Sequence, residues 1–432
     1  MSPYLKSNIK IYMNIKKIIL LISILIIILI ILNSSVGCCA GIDLFRKTPK
    51  VTKANKESDK IAANVNKDLV YSNTGFAIKI FKELSVEDRN VNIFISPISI
   101  SIAAAMAYNG ARNKTMDEIA QVLEFTDFTP EKLNKYFKDL LLSMNDIDDM
   151  VELYSGNSIW YKKDFNAQKD FMDLTKNYYD ASVYDVDFTS IDTADRINSW
   201  VSEATQGKIS KITDQDSLKD TVLYLINAIY FKGQWKDKFK VENTAEDTFY
   251  LSGGSTKKIN MMNNIEKYKY YQGEDFRMLR MPYGRDKSAM YVLLPDENIA
   301  IDEFVGGLSP ELLAKSIAGA SSHEVNLKFP KFKAEYGAKS LVESLKRMGM
   351  ANAFTDKADF SKIAPQMFIS QVEHKAIIEV NEEGTVAAAA TSFGMGVTAV
   401  RPVEFIVNRP FLLMIIDDRT GNILFMGKIV EP

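Results

Sequence analysis

Reactive side chains are scarce in this chain. It has two histidines, His323 and His374, and two adjacent cysteines, Cys38 and Cys39. A Ser-His-Asp hydrolase could draw on one imidazole, but no Gly-x-Ser-x-Gly turn is present to carry its nucleophile. A metal centre asks for more His or Cys than the residues beyond Cys39 supply. No Gly-x-x-x-x-Gly-Lys phosphate loop occurs. Catalysis, a bound metal and a cofactor are therefore not expected. His323 lies beside Ser321 and Ser322 and reads as an ordinary surface residue in a loop. His374 lies in an apolar strand between Val372 and Ile377. It reads as a hydrogen-bonded core histidine, because an unpaired buried polar group costs about 1–3 kcal/mol.

The unusual stretch is Glu382-Glu383-Gly384-Thr385-Val386-Ala387-Ala388-Ala389-Ala390-Thr391. Four alanines suit a helix, whereas strands prefer larger residues. Gly384, Thr385 and Val386 before them, and Gly394, Gly396 and Pro402 after them, argue against a stable helix. Such a segment is a candidate for changing state, and its small side chains would let it slide into a packed sheet.

The elements that position these residues follow from periodicity. Phe76, Ile80, Phe81 and Leu84 recur at helical spacing, which predicts a helix over 69–85. Pro97 suits the first turn of a helix continuing through Ile98 to Tyr108. Thr115 with Glu118 three residues on reads as a capping box. Further helices are expected at 130–146, 167–180, 192–205, 309–318 and 338–349. Val222 to Phe231 is apolar and β-rich, the mark of a buried central strand. Short strands are expected over 247–296 and from 367 onward. Helices come first and strands collect late, so the class is α+β.

The 432 residues allow one large domain or two ordinary ones, and the 47% hydrophobic and 25% charged content is that of a soluble globular protein. Net charge is −2, and −6 without the four lysines of the first 37 residues. Nothing in that balance draws the chain to nucleic acid. Lys16-Lys17, the apolar run Ile18 to Leu32 and the small residues Ser34, Ser35, Gly37 and Ala40 read as a secretory signal or membrane anchor over 1–40. Ser35-Val36-Gly37-Cys38 is similar to a bacterial-type lipoprotein processing site, with Cys38 receiving the lipid, although it lacks the leucine three residues before the cysteine. Lipidation, ordinary cleavage near Ala40 and an uncleaved anchor all remain open. Residues 41–67, polar and rich in Lys and Asn, read as a flexible linker with no fold of its own. The folded domain is placed at 68–432. Beyond Cys39 there is no cysteine, so no disulfide staples that domain.

Separated motifs in this domain resemble the serpin family of protease inhibitors. They include Asn92-Ile93-Phe94-Ile95-Ser96-Pro97-Ile98-Ser99-Ile100, Tyr108-Asn109-Gly110-Ala111, Thr205-Gln206-Gly207-Lys208-Ile209 and Asn227-Ala228-Ile229-Tyr230-Phe231-Lys232-Gly233-Gln234-Trp235. Phe329-Pro330-Lys331-Phe332, Glu379-Val380-Asn381-Glu382-Glu383-Gly384-Thr385, Asn408-Arg409-Pro410-Phe411 and Leu424-Phe425-Met426-Gly427-Lys428 follow in family order. The resemblance implies three β-sheets surrounded by eight or nine helices, with an exposed reactive-centre loop. It implies a hinge at Glu382 to Thr391, a shutter of Ser96, Ser99, Asn227 and His374, and a breach at Trp235, with Lys331 paired to Glu382.

The mechanism implied is that of a suicide substrate. A serine protease cuts the loop and is held as an acyl-enzyme in a covalent complex, while the hinge segment inserts into the main sheet. No proline or charge interrupts Gly384 to Thr391, which favours insertion. Counting from Gly384 puts the reactive bond after Thr398, and counting back from Pro410 puts it after Ala399. Small residues there suit elastase-like or subtilisin-like proteases. The chain is expected to be monomeric, with loop-sheet polymers as its failure mode, and extracellular, either secreted or anchored to the outer face of the membrane. The alternative is a non-inhibitory serpin acting as carrier, chaperone or structural protein.

Overall fold

The computed structural model describes residues 56–385 and 401–432. The expectations for the leader 1–40 with Cys38, for residues 41–55, for Val386 to Thr391 and for the Thr398 or Ala399 bond lie outside the described residues.

Sixteen strands occur among the described residues. They are β1 (Ile93–Ile95), β2 (Val151–Lys162), β3 (Ser182–Val186), β4 (Leu223–Gln234), β5 (Ala245–Tyr250), β6 (Thr256–Gln272), β7 (Phe276–Tyr283) and β8 (Ser288–Pro295). Then come β9 (Ser321–Pro330), β10 (Phe332–Glu335), β11 (Lys339–Ser340), β12 (Gln371–Val380), β13 (Gly384–Thr385), β14 (Val403–Ile406), β15 (Phe411–Asp417) and β16 (Asn422–Ile429). One sheet has seven strands in the order β10-β12-β4-β2-β3, with β11 also on β12 and β13 also on β4. The other has nine, in the order β1-β16-β15-β8-β7-β6-β9-β14, with β5 on β6. Two of the three expected sheets are thus joined through β6. Its first part pairs with β5, most of its length with β9, and its last four residues with β7.

Ten α-helices form among the described residues. The first three are α1 (Lys56–Ala63), α2 (Lys67–Glu87) and α3 (Pro97–Gly110), of which α2 and α3 bear on the site. Every residue of α3 is buried, as expected for a helix apolar on all sides. It packs between the sheets, touching β16 on one side and β2 and β4 on the other. β4 is buried along nearly its whole length, matching its apolar run. β12 instead alternates, sending Val372, His374, Ala376, Ile378 and Val380 inward.

Five expectations need correction. The helix expected over 338–349 begins only at Val342, and Lys339 and Ser340 form β11 instead. Residues 56–63, expected within a linker without fold, form α1, because Ala62 and Val65 find a buried apolar place and Ser58 a polar one. Thr115 caps nothing. The helix around it starts at Asn113, and its hydroxyl accepts the Asp359 amide instead. His323 lies in β9 rather than in a loop, though exposed as expected. β6, expected as part of a series of short strands, runs 17 residues because it serves two lobes in succession.

Candidate functional site

The site is the seam between β4 and β12. These strands run parallel, and Gln371 to Ile377 pair with Tyr224 to Tyr230 in seven steps. Beyond Ile377 their direct pairing stops. The chain then turns tightly, with the Asn381 amide donating to the Gly384 carbonyl at 2.9 Å and the Gly384 amide to the Asn381 carbonyl at 3.2 Å. Gly384 and Thr385 come back antiparallel to β4, opposite Gln234 and Gly233. Gly384 holds φ +140°, and a Cβ there would stand 2.1 Å from the Gly233 carbonyl oxygen. Only glycine fits that combination of left-handed backbone and close approach.

The end of β4 grips this turn. The Trp235 amide donates to the Glu383 carbonyl at 2.9 Å, its indole Nε1 to the Asn381 carbonyl at 3.0 Å, and the Phe239 amide to the Glu382 carbonyl at 2.9 Å. The indole itself is buried and stacked on Tyr283, 4.5 Å between centroids and 8° from parallel. Glu382 is 5% exposed, with its carboxylate 2.9 Å from Lys331 Nζ and 2.9 Å from the Thr244 hydroxyl that donates to it. Trp235, Lys331 and Glu382 are therefore brought together around the turn.

Deeper in the seam, His374 stands directly opposite Asn227, which stands opposite Asn157 on β2. His374 Nε2 accepts the Ser96 amide at 2.9 Å, so the proton belongs on Nδ1. The Ser96 hydroxyl donates to the Leu424 carbonyl at 2.6 Å and lies 3.1 Å from the Ser99 hydroxyl. Asn227 turns away from His374 and donates to Asn157 Oδ1 at 2.6 Å. No side-chain hydrogen bond crosses from β4 to β12 among the described residues, and His374 Nδ1 and Asn227 Oδ1 are both buried without a partner. Ser96, Ser99 and His374 form one group and Asn227 the edge of another, one on each side of the seam.

The family model Serpin (serine protease inhibitor) matches residues 71–432. The human leukocyte elastase inhibitor is 36% identical over 376 residues, spanning 84% of this chain and 98% of its own length. The chain belongs to the serpin family. The native-state crystal structure of the thermophilic serpin tengpin superposes with a TM-score of 0.79 at 34% identity, covering 88% of this chain and all of that one. Human thyroxine-binding globulin in complex with its hormone gives 0.78 at 29%, covering 85% and 99%.

Burial sets the electrostatics of the seam in this serpin. It holds the His374 imidazole down at about 3, so the ring is neutral at physiological pH. The neighbouring Glu373 carboxyl, on the opposite face of β12, is pushed up to about 8 by burial alone. Glu382 is treated differently. Burial pushes its carboxyl upward, but hydrogen bonds from Lys331, the backbone and Thr244 outweigh this and hold it below the usual range.

Two members of the site escaped the sequence. Asn157 was readable only as a polar residue inside a strand, next to Gly156 and Ser158, and nothing local ties it to Asn227 across 70 residues. Thr244 carried no signal, since its hydroxyl meets Glu382 through a loop whose path is set by tertiary packing.

Proposed function

We propose that this serpin is a suicide inhibitor of serine proteases, working by cleavage of its loop and insertion of the hinge between β4 and β12. The observation that carries this reading is the register of β13. Gly384 already lies opposite Gln234 on β4 and is bridged to Asn381 just past β12. Both pairings belong to one continuous register. Extended along the seam, it would seat Thr391 opposite Asn227 on one side and His374 on the other.

A threonine hydroxyl donates and accepts. It could accept the His374 Nδ1 proton and donate to Asn227 Oδ1, satisfying the two atoms left without partners. Each such atom costs the uninserted state about 1–3 kcal/mol. Insertion would replace seven parallel pairings with antiparallel ones on both sides of the new strand, and Ala387 and Ala389 are small enough to enter beside Phe231 and Ile229. The acyl-enzyme is trapped if this outruns deacylation.

The small residues around Thr398 and Ala399, and the similarity to the leukocyte elastase inhibitor, favour elastase-like or subtilisin-like targets. Lys16-Lys17 and the apolar run after them support export, to an extracellular place free or anchored at the outer membrane face, with Cys38 as the lipid acceptor. Incubation with elastase and with subtilisin tests the function. A covalent complex that survives SDS is expected, and the peptide released from its C-terminal side identifies Thr398 or Ala399. The similarity to thyroxine-binding globulin favours a second reading, a carrier. A carrier would be cleaved by both proteases and leave no complex.

A further inference from the structure

Opening the seam requires one side to move away from the other. β4 is held at its end by backbone hydrogen bonds that join Gln234 to Gly284 and Lys236 to Pro282, whereas β12 is tied near its middle to an ion cluster on a helix. On its far side β12 pairs with β11, where Lys339 stands directly opposite His374. The Lys339 ammonium donates to Glu87 Oε1 at 2.5 Å and to Asp88 Oδ2 at 2.8 Å, with its side chain 18% exposed. Glu87 and Asp88 are the last residue and the C-cap of α2, where a cation is also favoured by the helix dipole. The same carboxylates are held from other directions. Arg347 and Ser344 donate to Glu87, and Tyr336 donates to Asp88. Two residues beyond Lys339, the Leu341 amide donates to the Val372 carbonyl of β12 at 3.0 Å. His374 is thus fixed twice, by the Ser96 amide at the head of α3 and through β11 by the ion cluster on α2. Across the seam, the Asn227 side chain bonds only to Asn157 on β2 among the described residues.

We propose that Lys339 is a positioning residue for loop insertion, locking β12 to the end of α2 so that the seam opens at constant β12 register. A β12 free to drift would meet the entering strand out of step with β4, and the insertion that must beat deacylation would slow. The proposal rests on the inhibitor reading above.

The domain beyond Cys39 has no cysteine, so the full chain carrying Cys38→Ser and Cys39→Ser accepts spin labels cleanly. One label pair joins Val86→Cys on α2 with Glu379→Cys on β12, and a second joins Val86→Cys with Lys162→Cys on β2; all three positions are exposed. Distances are measured by double electron–electron resonance before and after cleavage by elastase or subtilisin. The β12 distance is expected to stay fixed while the β2 distance changes. In Lys339→Met the β12 distribution should broaden, and the inhibitor consumed per protease trapped should rise about fivefold, the factor matching about 1 kcal/mol of lost ion pairing. Lys339→Arg should restore both. A β12 distance that shifts in the wild type as much as the β2 distance overturns the proposal. So does a Lys339→Met protein that melts earlier but traps protease as the wild type does. If neither distance changes on cleavage, insertion itself has failed, which is a different result.

Discussion

The Glu382 carboxylate and the Lys331 ammonium meet at 2.9 Å, one almost fully buried and the other half-exposed. The pair joins the turn that starts the loop to the strand junction between β9 and β10. Replacing Glu382 with Lys would set two ammonium groups against each other and leave the Thr244 hydroxyl without its acceptor. With solvent screening at Lys331, a loss of about 2 kcal/mol is expected. The turn should detach and the sheet open spontaneously, so native gels after mild heating should show polymers. Monomer alone would reject the idea.

Gly384→Val tests the seat of the hinge. A side chain there collides with the Gly233 carbonyl and forces an unfavourable φ, about 1–3 kcal/mol of strain before any repacking. The native melting temperature should fall, and the variant should be cleaved by elastase as a substrate with little complex formed. Complex yield equal to wild type would show that the β13 pairing is incidental.

Thr391→Arg would bring an unpaired guanidinium to the buried position between Asn227 and His374. The cleaved protein should lack the gain in heat resistance that insertion brings. Its stoichiometry of inhibition should rise more than about tenfold, the effect of only 1.4 kcal/mol on the partition. Thr391→Ser should behave nearly as wild type.

The two titrating neighbours on β12 pull the pH dependence in opposite directions. His374 is depressed to about 3 from its usual 6.5, so its neutral form is the folded form. Its contribution is complete above 6.5 and is lost as pH falls from there toward 3. Glu373 is raised to about 8, so its protonated form is the folded form. Stability is complete below its unfolded value near 4.5 and is lost as pH rises from there through 8. His374→Gln should flatten the acid limb of a pH–stability profile, and Glu373→Gln the neutral limb. Parallel profiles for Glu373→Gln and wild type between pH 5 and 8 would mean that water reaches the carboxyl.

Much of the fold was legible because burial wrote it into local pattern. The apolar run at Val222 to Phe231 announced β4, and Pro97 followed by Ile98 to Tyr108 announced α3. Helix ends and caps were less legible. Thr115 and Glu118 have the spacing of a capping box, yet both side chains bond to backbone amides more than 230 residues away, at Asp359 and Asn352. α1 was hidden by its polar surroundings, since Ala62 and Val65 gain apolar burial only after the rest of the chain has folded. The seam shows the same division. Its small residues, its histidine and the motif around Asn227 stand in the sequence, but which side each bonds to depends on strand register, which no local pattern specifies.

The turn from Asn381 to Gly384 fixes one end of the tether before any protease arrives. Under the proposed mechanism, entry into the sheet would begin as a zipper with its first tooth engaged and would need no diffusive search for a starting place. Lengthening the chain beyond Thr391 would then alter where a captive enzyme comes to rest, while leaving the moment of engagement unchanged.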